Sequence, residues 1–190
     1  YLLIEGNSFS RAGHSPFRFE TSRNAVVRGN AFHNPWGRNY ELADVSKILF
    51  EGNVITASYD GNWSAAAESK NCISDGVWRF NRCYDNHDAP LSAPSWAPQV
   101  LRSGRAWEPF RVLDNRFYGN VVTDNVGFAW TVSGWTINQN FWLNNIFYKN
   151  DRCGPGLQMR FRDKKVNRDN RVHNNILRGV QPGQTTIYYD

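Results

Sequence analysis

Long hydrophobic runs are missing from this sequence: none approaches the roughly 18 residues of a membrane span, so no span is expected. Sustained 3.6-residue periodicity is missing too, and Gly and Pro cut the chain into short pieces, which excludes long helices. The three cysteines, Cys72, Cys83 and Cys153, lack metal-type spacing and allow at most one internal disulfide. No Lys/Arg tract of the nucleic-acid-binding kind is present. The densest basic cluster, Arg160, Arg162, Lys164 and Lys165, reads as a solvated edge, and no specific nucleic-acid partner is expected. The chain opens without Met or a signal peptide on strand-like Tyr1-Leu2-Leu3-Ile4 and stops on strand-like Thr186-Ile187-Tyr188-Tyr189. This is the pattern expected of a piece of a longer protein, with neighbouring segments or chains at both ends.

What is present points to a packed β domain. A hydrophobic content of 41% can bury a core, and 190 residues suit a single domain over 1–190. Aromatics are abundant (Trp 8, Tyr 8, Phe 12) and asparagine recurs throughout. The net charge of +5 mildly favours acidic partners.

One phrase repeats: apolar, two variable residues, Asn, any residue, apolar. It reads Ile4-Glu5-Gly6-Asn7-Ser8-Phe9, Val27-Arg28-Gly29-Asn30-Ala31-Phe32 and Phe50-Glu51-Gly52-Asn53-Val54-Ile55. It continues through Asn81, Asn115, Asn145 and Asn175, each between apolar residues. A repeat of this length built from strands, with extra residues placed in loops, stacks as a parallel β-solenoid. The spacing predicts about seven coils. The recurrent Asn suits a corner, where it tolerates positive φ, and its amide can bond to the equivalent amide of the coils above and below. A continuous ladder of Asn7, Asn30, Asn53, Asn81, Asn115, Asn145 and Asn175 is therefore expected, since a buried unpaired amide costs roughly 1–3 kcal/mol.

A second strand per coil lies between these phrases. Candidates are Phe17-Arg18-Phe19-Glu20, Tyr40-Glu41-Leu42-Ala43, Ala65-Ala66-Ala67-Glu68, Pro98-Gln99-Val100-Leu101-Arg102, Phe128-Ala129-Trp130-Thr131 and Gly156-Leu157-Gln158-Met159-Arg160-Phe161. Alternation turns Arg18, Glu20, Gln158 and Arg160 outward. Stacking such residues makes a ruled polar face, suited to an extended polymer.

These phrases, with Phe32-His33-Asn34-Pro35-Trp36 and Asn145-Ile146-Phe147-Tyr148-Lys149-Asn150, resemble the pectate-lyase-like right-handed parallel β-helix superfamily over essentially the whole chain. The resemblance implies an all-β right-handed parallel β-helix, secreted or at the cell surface. It implies a polysaccharide partner, with polysaccharide-lyase-like β-elimination as the leading reaction. A glycoside hydrolase and a non-catalytic adhesin, tailspike or structural fibre are the alternatives within it. Two finer patterns differ here. Where the chondroitinase B and alginate lyase family carries Lys-Ser-x-x-Asn, Glu20-Thr21-Ser22-Arg23-Asn24 has Glu first and Ala67-Glu68-Ser69-Lys70-Asn71 has Ala. The Asp-Asp pair of polygalacturonase-type hydrolases does not occur.

Loop insertions near 56–64, 84–98 and 103–109 would wall a cleft over the ruled face. Trp63, Trp96 and Trp107 in them suit sugar rings, or else pack against the solenoid side; Arg105 and His87 are further binding candidates. A uronan lyase needs a base and neutralisation of the substrate carboxylate by Arg or calcium. Lys70, Arg102, Glu68 and Glu41 are the catalytic candidates. Asp60 and Asp88 are the candidates for holding calcium, and no other cofactor is expected. A hydrolase wants two carboxyls about 5–9.5 Å apart, a spacing that Glu41 and Glu68 could meet.

Overall fold

The computed structural model describes residues 1–11, 17–33, 40–56, 59–60, 67–84, 87–88, 99–102, 111–123, 130–134, 136–148, 157–161, 168–178 and 187–189. Among them there are strands and no helices, and every strand pairing is parallel. The chain forms an all-β parallel solenoid of stacked coils.

Each coil alternates short strands with tight corners. The clearest stack is a seven-stranded sheet of Ser8–Ser10, Ala31–His33, Val54–Thr56, Arg82–Tyr84, Val121–Thr123, Ile146–Tyr148 and Ile176–Arg178. Its middle residues form one inward column: Phe9, Phe32, Ile55, Cys83, Val122, Phe147, Leu177. Cys83 is a fully buried cysteine of that column. An opposing column from the larger sheet runs Ile4, Val27, Phe50, Trp78, Phe117, Trp142, Val172. Rings stack along it, Phe117 on Trp142 with centroids 5.0 Å apart. Each buried large side chain stabilises the fold by roughly 1.5–3 kcal/mol, so the columns are the core.

The seven-stranded sheet joins this second column at a corner closed by the asparagine ladder. Asn7, Asn30, Asn53, Asn81, Asn120, Asn145 and Asn175 stack in order, each side-chain amide donating to Oδ1 of the next at 2.8–3.2 Å. The same Oδ1 receives the preceding backbone N–H, as Asn53 does from Asn30. The second amide hydrogen reaches a carbonyl in the previous coil: Asn53 to Val27, Asn81 to Phe50, Asn120 to Trp78. The interior amides are thereby satisfied, the condition for burying them.

Asn115 does not belong to this ladder, contrary to the spacing of the repeated phrase. It sits in a second one at the preceding corner, where the Gly76 N–H donates to Asn115, Asn115 to Asn140 and Asn140 to Asn170. The phrase fits both corners, because Phe117-Tyr118-Gly119-Asn120-Val121-Val122 satisfies it as well as the copy around Asn115. Contrary to the expectation for a corner asparagine, no rung of the ladder has a positive φ. The left-handed residue is the one before it: Gly6, Gly29, Gly52, Phe80, Gly119, Asn144 and Asn174 at one corner, Asp114, Gln139 and Asp169 at the other. The corner residue turns the chain, and its successor is thereby aimed inward.

Candidate functional site

The described parts of the predicted second strands stack in one register; residues 65, 66, 98, 128, 129 and 156 of those strands lie outside the described residues. Their backbone register runs from strand Arg18–Arg28 through Tyr40–Glu51, Ala67–Ser74, Gln99–Arg102, Trp130–Gly134 and Leu157–Phe161 to Ile187–Tyr189. Phe17, Tyr40 and Leu42 are buried, whereas Arg18 and Glu20 are exposed and paired with each other, Arg18 Nε donating to Glu20 at 2.8 Å. Burial holds the Tyr40 phenol well above its ordinary range, with a smaller push from Cys83.

Two rows of this stack gather the sequence-predicted catalytic residues. One row carries Arg18, Glu41, Glu68, Val100, Thr131 and Gln158. The other carries Glu20, Ala43, Lys70, Arg102, Ser133 and Arg160. Neighbouring strands lie about 4.8 Å apart, so Glu41 is next to Glu68 and Lys70 next to Arg102 along the backbone. Lys70 also lies in the row of Glu20, the position at which the Lys-Ser-x-x-Asn pattern has its lysine. The lysine is thus in that row, two strands away.

The chain bends where this stack ends, at Thr21 and Asp44, both with positive φ (49° and 54°). Thr21, Arg23, Asp44, Val45, Ser46 and Ser74 line a concavity of about 270 Å³ at the bend. It offers one cation, one carboxylate and three hydroxyls, a set able to hold a polar ring and an acid group. Arg23 was legible only as part of Glu20-Thr21-Ser22-Arg23-Asn24, and nothing local marked it as pocket-forming. Residues of two insertions pair in a short parallel sheet of their own, His87 beside Tyr59 and Asp88 beside Asp60. The two candidate calcium aspartates are therefore adjacent in register. No group of three or more His, Cys, Asp or Glu residues suited to a metal occurs among the described residues. Trp63, Trp96, Trp107 and Arg105 lie outside the described residues.

Two further ion pairs lie outside these rows. On the outer surface Arg28 bonds Glu5 at 2.8 Å, and Arg79 bonds Glu51 at 2.7 Å and the Tyr118 hydroxyl at 2.8 Å. These hydrogen bonds raise the pKa of both guanidiniums further, through Glu5 for Arg28 and through Tyr118 and then Glu51 for Arg79. No helix among the described residues is long and apolar enough to cross a membrane. No protein-family model and no curated protein matches the chain.

Proposed function

We propose that the solenoid is right-handed, with one coil per strand of its seven-stranded sheet, and binds an acidic polysaccharide outside the cell. The polymer lies across the rows of Glu41, Glu68, Lys70 and Arg102. The observation that carries this reading is the register that sets Lys70 beside Arg102 and Glu41 beside Glu68, next to the pocket of Arg23 and Asp44. Arg102, a permanent cation on the strand next to that of Lys70, suits a uronic-acid carboxylate, and its field lowers the cost of removing the neighbouring C5 proton. In β-elimination, a base takes that proton, the C5–H electron pair becomes the C4–C5 double bond, and the C4–O bond breaks with its pair on the leaving oxygen, which takes a proton from water. Lys70 is assigned as base, Arg102 as carboxylate partner, and Glu41 and Glu68 as groups contacting sugar hydroxyls.

The test is turnover of polygalacturonate and alginate, followed by absorbance of the unsaturated product. We expect product from the parent chain and its loss with Lys70→Ala or Arg102→Ala. Binding without product would leave a non-catalytic adhesin or fibre scaffold as the reading. Absence of binding would end the polysaccharide assignment altogether.

A further inference from the structure

One corner of the solenoid carries a side chain that its geometry does not call for. The residues before the first ladder are Gly6, Gly29, Gly52, Phe80, Gly119, Asn144 and Asn174, all left-handed. Glycine adopts that conformation freely, and Asn tolerates it, but a bulky aromatic there is a steric outlier. Phe80 has φ 56° and is 54% exposed. Burial therefore does not explain it.

Its surroundings hold the ring in place. Phe80 packs edge-on to Tyr118 with centroids 5.6 Å apart, and the Arg79 guanidinium lies 5.7 Å from its ring centre. A Cβ on Gly119 would come within 2.7 Å of the ring, so Phe80 leans over that glycine. Toward the other side the corner is bare: a Cβ on Gly6, Gly29 or Gly52 would meet nothing within 4 Å. The three glycines thus form an open track leading to a fixed, exposed ring. Glu5, Arg28, Glu51 and Arg79 each precede a corner residue and line the track as two ion pairs, so its charges balance.

We infer that this corner is a second saccharide-binding site, in which the apolar face of an uncharged pyranose stacks on Phe80. Glu51, Arg79 and the Tyr118 hydroxyl supply hydrogen bonds to its ring hydroxyls, and the rest of the chain lies along the glycine track. Stacking on a held aromatic loses little side-chain freedom, which is what such a contact requires. Balanced charge favours a neutral sugar, in contrast with the Lys70 and Arg102 rows. The site is independent of the lyase reading.

The experiment is affinity electrophoresis in gels containing hydroxyethyl cellulose, galactomannan or arabinoxylan, at low and raised salt. The parent chain should be retarded by at least one of them, with little effect of salt, and Phe80→Gly should weaken retardation by about tenfold or more. The same substitution should leave the melting temperature unchanged or raised, because glycine fits the left-handed corner. Phe80→Trp keeps a stacking ring and should retain binding even if the glycine variant proves less stable. Lys70→Ala should not alter this binding, which separates it from that of the acidic polymer. No retardation of the parent chain, retardation unchanged by Phe80→Gly, or retardation lost equally in Phe80→Trp would each overturn the inference.

Discussion

Asn81 donates both its backbone N–H and its side-chain amide to Oδ1 of Asn120, at 3.1 and 2.9 Å, across 39 residues of sequence. That bond threads the ladder past the longest insertions of the chain. It keeps the coils in register where loop length gives no help. Because all the amides point the same way along the axis, each bond polarises the next.

Removal of an interior rung should therefore be costly. Asn120→Ala strands the donors of Asn81 and frees the Trp78 carbonyl, and should lower stability by about 3 kcal/mol or more in urea unfolding. Asn7→Ala, at the exposed end, should cost under about 1 kcal/mol. In double-mutant cycles Asn81 and Asn120 should couple by roughly 0.5–3 kcal/mol, whereas Asn81 and Asn115, on different ladders, should be additive within about 0.5 kcal/mol.

The two kinds of corner glycine should respond differently to a methyl group. A Cβ on Gly76 would lie 2.2 Å from the Trp78 ring and 2.9 Å from Asn115 Oδ1. Gly76→Ala should cost about 1–3 kcal/mol through overpacking and loss of the second ladder's end. Gly52 has free space but a φ of 59°, so Gly52→Ala should cost about 1–2 kcal/mol from backbone conformation alone. Crystal structures of the two variants would show Trp78 displaced in the first and nothing displaced in the second.

Tyr40 should set an alkaline limit. Its folded pKa lies above the unfolded value of 10.0. The folded state therefore holds the proton more tightly, and the contribution is complete below about pH 10 and is lost as pH rises through the folded pKa. Melting temperature should fall above pH 10 in the parent chain and fall less steeply in Tyr40→Phe.

The pocket at the bend should matter for turnover if the lyase reading holds. Arg23→Ala and Asp44→Asn should lower kcat/KM on polygalacturonate by about tenfold or more, a loss of roughly 1.4 kcal/mol in transition-state binding. Arg28→Ala, in the exposed pair with Glu5 outside these rows, should change it by less than about twofold. Equal losses in all three would point to a general charge effect, and raised salt would then remove the difference.

The residues alone determined the strand-only repeat, the asparagine ladder at Asn30, Asn53 and Asn81, and the second strands that stack as a row. These are local patterns: each coil must bury its own alternate residues and turn its own corners, so every repeat writes them again. Only the tertiary structure decided that Asn120 and not Asn115 follows Asn81, since the two lie one short strand apart and fit the same phrase. It also decided that Lys70 pairs in backbone register with Arg102 and Asp60 with Asp88, and that Arg23 and Asp44 line one concavity. Insertions of unequal length separate these residues in sequence. Their proximity is created by hydrogen bonds between coils, which enforce register regardless of the length of chain looped out between them.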